Sequence, residues 1–405
     1  MAQRYERPAW MRRINAMAGS IGGDPREIAP IRAGELVDAA TRRLGAAAGD
    51  LGDPAWRSRF EGLAAACDAH PFHVVGRLLT RQELLRALRT RLRLARAFAD
   101  DPGVAEERVA APILVTGPAR SGTTILFELL ALDPELRAPA AWEALHPLPP
   151  AGPGEVAERM ARSECEQELW AELQPEFAAI HELRSDLPVE CVTLTMPCFA
   201  GPHWSMIAQL AGWSPDPACM YAFHRRFLQV LQRGAGSRTW LLKTPAHLFT
   251  LELVFQTYPD AWVVQTHRDP ARTMPSTLST AALVQWMRSD QVDLPALRGA
   301  IEAAFGVGLN RTVEVRSGGA LPDRFVDVHF AELMKDPVAT LRGAYRRMGR
   351  AFGPGHAERV ERYLAYKPQG KFGVHRYSAG EWGFDADAVR ERLAPYIRHF
   401  GVALE

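Results

Sequence analysis

Lysine is almost missing from this 405-residue chain: of 48 basic residues only Lys243, Lys335, Lys367 and Lys371 are lysines, and the rest are arginines. An ammonium kept inside an apolar segment of such a chain, as Lys243 is, marks a place where a compact charge is wanted rather than a guanidinium. Cysteine is scarce as well. The five thiols, Cys67, Cys165, Cys191, Cys198 and Cys219, form an odd set with no C-x-x-C spacing, which argues against a disulfide framework or a zinc ribbon and fits a reducing compartment. Neither sign of charge is in excess. With 48 basic residues against 47 acidic ones the net charge is +1, so the footprint of a dedicated nucleic-acid binder is missing. No apolar run approaches the roughly 20 residues of a membrane span, and the Arg-rich start from Met1 to Arg13 is not followed by the apolar core of a leader. These absences predict a soluble, cytoplasmic protein with no nucleic-acid partner and no integral membrane segment.

What is present is an ordinary globular composition, 47% hydrophobic and 23% charged, enough for one large α/β domain or two domains. From Ala33 to Asp100 the pattern is helical, strongest over Arg81 to Phe98, where Leu84, Leu85, Leu88, Leu92 and Ala95 recur at three- and four-residue steps. Thr80 is the expected N-cap with Glu83 completing a capping box. Arg81, Arg86, Arg89, Arg93 and Arg96 lie mostly off the stripe and are expected on a solvated face. After Pro112 the character changes. Ile113 to Thr116 reads as a buried parallel strand and Thr124 to Leu132 as a helix, with a glycine-containing turn between them. A Pro/Gly-rich loop at Pro147 to Gly154 leads into helical stretches, Glu155 to about Ile180 and Val189 to Arg233. Strands are then expected at Thr239 to Leu242, Ala261 to Thr266 and Arg324 to His329. Helices are expected at His247 to Tyr258, from Pro270 onward, at Pro337 to Arg350 and at Asp385 to Phe400. This alternation predicts an α/β fold, a parallel sheet flanked by helices. The expected organisation is a helical N-terminal extension over 1–105 packed on a main α/β domain over 106–405, with a helical insertion at about 155–235.

The most informative segment is Gly117-Pro118-Ala119-Arg120-Ser121-Gly122-Thr123-Thr124, set between strand and helix. Such a loop aims backbone N–H groups and the positive end of a helix at one point, a place for a phosphate-like dianion. Its glycines are spaced as in a Walker A loop, but Thr123 stands where that motif has lysine, so the β/γ-phosphate grip of an ATPase or kinase is missing. A second cluster, Thr266-His267-Arg268-Asp269-Pro270, ends the strand beginning at Ala261. Ser276 lies about two helical turns beyond it and can face the same anion as Arg268. Ligands of parallel α/β sheets bind at the carboxyl ends of the strands, so two anion sites at one edge suggest a ligand with two phosphate-like groups.

The loop Pro118 to Thr124, the segment Leu242-Lys243-Thr244-Pro245-Ala246-His247-Leu248 and Arg268-Asp269-Pro270 with Ser276 together resemble the sulfotransferases that use 3′-phosphoadenosine 5′-phosphosulfate (PAPS), more narrowly the bacterial branch related to tyrosylprotein sulfotransferases. The resemblance spans about Pro112 to Phe400 and implies a P-loop-like fold and transfer of a sulfuryl group from PAPS, with no metal required. It implies that Arg120, Ser121, Gly122, Thr123 and Thr124 hold the 5′-phosphosulfate, and that Arg268 and Ser276 hold the 3′-phosphate. Phe330 stands where the family has an adenine-contacting tyrosine. Gly370 to Tyr377 resembles the basic loop that closes over the 3′-phosphate, with Lys371 and Arg376 as its candidates. Arg120 and Lys243 are the expected stabilisers of developing charge. Glu143, His181 and His247 are the candidate bases, in that order, and a carboxylate beside Trp142 is expected to have its pKa raised toward neutrality. The expected acceptor is a hydroxyl of a small, lipophilic or aromatic molecule, walled by Trp142, Trp204, Trp213, Tyr221, Phe223, Phe227 and Trp286. A P-loop kinase or NTPase and a non-catalytic PAPS-binding protein are the alternatives.

Overall fold

Five short strands order the chain. In the computed structural model, which describes residues 6–44, 51–148, 152–179, 181–236, 238–368 and 378–405, β1 (Ile113–Thr116), β2 (Leu136–Arg137), β3 (Thr239–Lys243), β4 (Trp262–His267) and β5 (Phe325–His329) form one parallel sheet in the order β2-β3-β1-β4-β5. Side chains alternate across it. Ile113 and Val115 lie on one face with Leu241, Val264, Val326 and Val328, whereas Leu114 lies on the other with Leu242, Val263 and Phe325. Both faces are covered, which is why these strands read as continuous apolar runs. Register sets Val115 beside Lys243 and Thr116 beside Gln265, so the polar ends of β1, β3 and β4 emerge along one edge.

The longer helices are α1 (Ala9–Ser20), α2 (Ala33–Leu44), α3 (Trp56–Ala69) and α4 (Val74–Asp100) before the sheet, α5 (Thr123–Ala131) after β1, and α6 (Pro153–Leu173) and α7 (Pro217–Gln232) between β2 and β3. They continue with α8 (Pro270–Trp286) and α9 (Leu294–Ser317) between β4 and β5, then α10 (Pro337–Arg347) and α11 (Pro354–Tyr366). One sheet face packs on Leu126, Phe127 and Leu130 of α5 with Leu341 and Tyr345 of α10. The other packs on Phe223 and Phe227 of α7. A separate cluster joins Leu36, Phe60, Leu84 and Leu88 of the N-terminal helices to Phe199, Trp204, Leu283 and Val284, so the region before β1 shares its core with the later chain.

A buried ion pair sits at that junction. Glu83 accepts from Arg288 Nη2 at 2.9 and 2.8 Å on its two oxygens, from Trp170 Nε1 at 3.1 Å, and lies 3.2 Å from His203 Nε2. Gly76 lets the chains meet: a Cβ there would lie 2.1 Å from the Arg288 carbonyl oxygen. This arrangement corrects the expected capping box at Thr80. Helix α4 starts at Val74, capped by His73 Nδ1, which accepts from the Gly76 N–H at 2.9 Å. Thr80 and Glu83 are buried inside it because Glu83 has a tertiary partner. Nor are the arginines of α4 a solvated face. Arg81 donates to the Pro30 carbonyl, Arg89 to that of Ala39, and Arg86 pairs with Glu166 at 3.1 Å; only Arg96 of the five is exposed.

Other differences are local. The helix expected over His247 to Tyr258 is a 3₁₀ turn, Pro245–Thr250, followed by the α-helix Leu251–Thr257. The last helix divides into Ala386–Arg392 and Ala394–Phe400, since Pro395 lacks the N–H that would continue the first segment. Helix α9 carries no expectation from the sequence because glycines interrupt its pattern. A Cβ at Gly308 would lie 2.2 Å from the ring of Phe249, so there the missing side chain permits close packing.

Burial alone would raise the Glu83 carboxyl, but the charges of Arg288 and His203 outweigh it and hold its pKa down at about 2. Glu83→Ala leaves Arg288 charged and unpaired in the core and is expected to cost about 3–5 kcal/mol in urea unfolding. Because the folded pKa lies below the ordinary value of 4.5, the stability Glu83 contributes is complete above that pH and is lost as pH falls toward the folded value. A variant series measured between neutral and acid pH checks this, with the gap between wild type and Glu83→Ala narrowing in acid.

Candidate functional site

The loop between β1 and α5 is shaped by three residues with positive φ. Gly117 (φ +145°) passes so close to β4 that a Cβ would lie 2.2 Å from Thr266 Oγ1, and at Gly122 (φ +92°) a Cβ would lie 2.8 Å from the ring of Phe330. Arg120 takes φ +70° despite its side chain, a conformation that costs about 1–2 kcal/mol and signals a constraint at this turn. Ser121 is buried, donating to the Pro118 carbonyl at 2.6 Å and meeting Thr266 Oγ1 at 2.5 Å. Thr123 and Thr124 open helix α5. The loop is thus fixed to β4 on one side and delivers the N-terminus of α5 on the other.

Lys243 ends β3 beside this loop. Its buried ammonium donates to Thr124 Oγ1 at 3.1 Å and to the carboxylate of Glu190. Burial alone would raise the Glu190 carboxyl, but the Lys243 charge, His181 and hydrogen bonds from Lys243 and Thr244 outweigh it and leave the pKa below its ordinary value. His181 is half-buried in the same neighbourhood. Burial, then the positive charges of Lys243 and Arg120, push its pKa down to about 4 against the upward pull of Glu190. The Lys243 ammonium and the Glu190 carboxylate therefore meet at the carboxyl edge of the sheet, and His181, whose ring packs on Phe177, lies within reach of their charges.

A second group lies beyond the loop. Arg120 Nε donates to Ser276 Oγ at 3.2 Å, and Arg268 Nη1 donates to the Arg120 carbonyl at 3.2 Å. The Arg268 guanidinium stacks 3.9 Å from the centroid of Phe330. Its Nε and Nη2 donate to the two carboxylate oxygens of Glu405, each at 2.8 Å, a bidentate geometry that serves carboxylate and phosphate alike. Arg120, Ser121, Gly122, Thr123, Thr124, Lys243, Arg268, Ser276 and Phe330 are thus brought together, and His181 lies within reach of the charges of Lys243 and Arg120. Lys371 and Arg376 lie outside the described residues.

Two further candidate bases have partners of their own. Glu143 is the third residue of the short helix Ala141–Leu145: one carboxylate oxygen accepts from Arg137 Nη2 at 2.8 Å and the other from the Ala140 N–H at 3.0 Å. The first bond ties Glu143 to the edge of the sheet, since Arg137 belongs to β2 and its guanidinium lies over Trp240, and the second caps its own helix. His247 is in the core, its Nδ1 at 2.6 Å from the hydroxyl of Tyr221 and its ring packed near His224. Burial pushes its pKa far down. Glu190 is the acid the sequence reading missed. The segment around Glu143 contributes to placing it, because Pro139 to Trp142 pairs with Ser185 to Val189 through the Ala141 N–H to Leu187, Trp142 N–H to Ser185 and Val189 N–H to Pro139 bonds. The expected aromatic wall is also dispersed: Tyr221, Phe223 and Phe227 are in one core cluster, Trp204 and Trp213 in another, and Trp286 in a third.

With its pKa near 4, His181 is expected to remain neutral from pH 8 to 5, checked by imidazole nitrogen shifts assigned with His181→Asn. Gly122→Ala faces both the positive φ and the ring of Phe330 and should destabilise the fold by more than about 1 kcal/mol in denaturant titration.

Comparison with known proteins fits this geometry. A family model described as "Sulfotransferase family" matches residues 112–354. The omega-hydroxy-beta-dihydromenaquinone-9 sulfotransferases Stf3 of Mycobacterium bovis and Mycobacterium tuberculosis are each 26% identical over 274 residues, 65% of this chain and 69% of theirs. The crystal structure of sulfotransferase STF9 from Mycobacterium avium superposes with a TM-score of 0.77 at 25% identity, covering 92% of this chain and 98% of that one. That of STF1 from Mycobacterium tuberculosis H37Rv gives 0.73 at 29%, covering 89% and 97%. Since the family match takes in all five strands, the phosphate-type loop, Lys243 and Arg268, the chain belongs to the sulfotransferase family and is a transferase.

Proposed function

We propose that the protein transfers a sulfuryl group from PAPS to the hydroxyl of a small lipophilic molecule. The observation that carries this reading is the contact of the buried Lys243 ammonium with both Thr124 of the anion loop and Glu190. The residues fit a donor with two anionic ends. Arg120 to Thr124 offer loop N–H groups, hydroxyls and a helix N-terminus to the 5′-phosphosulfate. Arg268, Ser276 and the Phe330 ring offer a guanidinium, a hydroxyl and a flat apolar face to the 3′-phosphate and its nucleoside. The carboxylate of Glu405 on Arg268 supports this assignment, because it displays the guanidinium engaged by an oxyanion.

When bound, PAPS supplies the sulfuryl group: the acceptor oxygen forms a bond to sulfur as the bond from sulfur to the adenylate oxygen breaks. Glu190, ionised and facing Lys243, takes the acceptor proton, and His181 orients the acceptor hydroxyl. Lys243 and Arg120 offset the charge that develops on the leaving oxygen, a role that positioned charges perform best in a water-poor site. Glu190 is proposed as the base ahead of Glu143 because it meets the buried Lys243 ammonium beside the anion loop, whereas the oxygens of Glu143 meet Arg137 and the Ala140 amide. The lipophilic acceptor is supported by Stf3, whose name gives a menaquinone derivative as its substrate.

Calorimetry on the purified protein tests the donor: 3′,5′-ADP should bind more tightly than 5′-AMP or Mg-ATP. Arg268→Ala should weaken 3′,5′-ADP by about 1.5–3 kcal/mol and leave 5′-AMP nearly unchanged. Equal loss for both nucleotides removes Arg268 from the 3′-phosphate site. For the chemical step, Glu190→Gln should lower kcat by about 10²–10⁴ while the protein still binds 3′,5′-ADP. Because its carboxyl is held below the ordinary 4.5, the acid limb of kcat/KM in the wild type should fall below that pH.

A further inference from the structure

The carboxylate that meets Arg268 belongs to a residue whose main chain is held separately. The helix Ala394–Phe400 ends at Gly401, which takes φ +60°, and the Val402 N–H donates to the Ile397 carbonyl at 2.9 Å. This is a left-handed helix stop, a conformation glycine adopts without a steric penalty. Val402 is buried in the cluster that holds Met274 and Leu278 of α8 with Tyr396. Beyond it the Glu405 N–H donates to Asp269 Oδ2 at 3.0 Å, and the Glu405 carbonyl accepts from Arg390 Nη2 at 2.8 Å.

That clamp is structural. Asp269 is fully buried and pairs with Arg390 at 2.7 Å, and its other oxygen accepts from the Ala271 N–H at 2.9 Å in the first turn of α8. The main chain of Glu405 is therefore fixed to the residue that follows Arg268, and its side chain is kept near the guanidinium whether or not the two are in contact.

The side chain makes a different kind of bond. Its two oxygens take Arg268 Nε and Nη2, while Nη1 donates to the Arg120 carbonyl and the guanidinium lies over the ring of Phe330. A phosphate received in bidentate fashion asks for the same Nε and Nη2 pair, because that edge of the guanidinium is the one not turned to Arg120. Carboxylate and phosphate cannot occupy it together. The Glu405 side chain is 31% exposed and that of Arg268 16%, so water reaches this pair, and an ion pair with such access is held weakly enough for an incoming anion to replace.

We propose that Glu405 is a resident competitor for the anion that Arg268 binds: its carboxylate holds the guanidinium until an incoming phosphate displaces it, and its main chain stays clamped to Asp269 throughout. A tethered group acts at an effective concentration set by its attachment. It therefore lowers the apparent affinity of every ligand that uses Arg268 by a common factor and leaves ligands that do not use it unaffected. A donor and a spent nucleotide that share the phosphate are weakened alike, so the carboxylate favours release of the product as it returns to the guanidinium. That this phosphate is the 3′-phosphate of the nucleotide rests on the donor reading above, whereas the competition for Arg268 does not.

Calorimetry on the full chain with two probes, 3′,5′-ADP and inorganic phosphate, tests the proposal in the wild type, Glu405→Gln, Arg268→Ala and the double variant. Glu405→Gln should bind 3′,5′-ADP at least about threefold more tightly than the wild type, bind inorganic phosphate more tightly as well, and bind 5′-AMP equally. Glu405→Ala, which removes both side-chain oxygens, should show the same gain. In the Arg268→Ala background the substitution at Glu405 should have no effect, which separates competition for the guanidinium from the general gain of removing a negative charge near an anion site. Equal affinity of wild type and Glu405→Gln for both probes, or binding of neither probe to either protein, overturns the proposal. So does a gain that persists without Arg268. If 3′,5′-ADP binds neither protein while inorganic phosphate keeps its Arg268-dependent gain, the donor reading falls and the competition stands.

Discussion

An ammonium buried at the end of a strand is the constraint around which the site is arranged. Taking Lys243 out of water costs several kcal/mol unless a counter-charge and hydrogen-bond partners accompany it, and Glu190 and Thr124 meet that need. Each comes from a different part of the chain: Lys243 from β3, Thr124 from the first turn of α5, Glu190 from the segment between β2 and β3. Their meeting requires β3 and β1 to run parallel in the observed register, so that Val115 lies beside Lys243 and the loop after β1 begins where β3 ends. It also requires the Pro139 to Trp142 segment to pair with Ser185 to Val189. Edge, loop and insertion are in this sense parts of one electrostatic arrangement.

The N-terminal helices follow the same rule at a distance from the site. Glu83 and Arg288 are both buried, and each is tolerable only because the other is present, with Trp170 and His203 completing the shell around the carboxylate. That pair fixes α4 against the end of α8, the helix that carries Ser276. Backbone contact enforces the same junction, since the His73 amide donates to the Arg288 carbonyl at 3.0 Å and Gly76 leaves room for it. The helices before β1 are thus coupled to the wall of the candidate site by polar burial as well as by shared apolar core.

Where sequence reading succeeded, a local pattern was sufficient. Ile113 to Thr116 is apolar because both sheet faces are covered, and Gly117 and Gly122 are glycine because a side chain would strike Thr266 or Phe330. Where it failed, the deciding partner was far away in the chain. Thr80 and Glu83 have the spacing of a capping box, yet Arg288, 205 positions on, claims Glu83. Nothing local distinguishes Glu190, which has neither a motif around it nor a periodic position, and its role appears only when Lys243 is seen to need an anion.

The sequence by itself determined four of the five strands, most of the helices around them, the parallel sheet and the anion loop, because hydrophobic period, glycine and helix N-termini act over a few residues; the two-residue β2 and the glycine-interrupted α9 left no such pattern. It also marked Lys243, by keeping a lysine inside an apolar strand of an arginine-rich chain. Only the tertiary structure decided which carboxylate faces that lysine, which histidine stays near the site and which aromatics are core. Those outcomes depend on charge pairing and packing between segments whose separation along the chain leaves no local trace, and the low dielectric of the interior makes each such pairing specific.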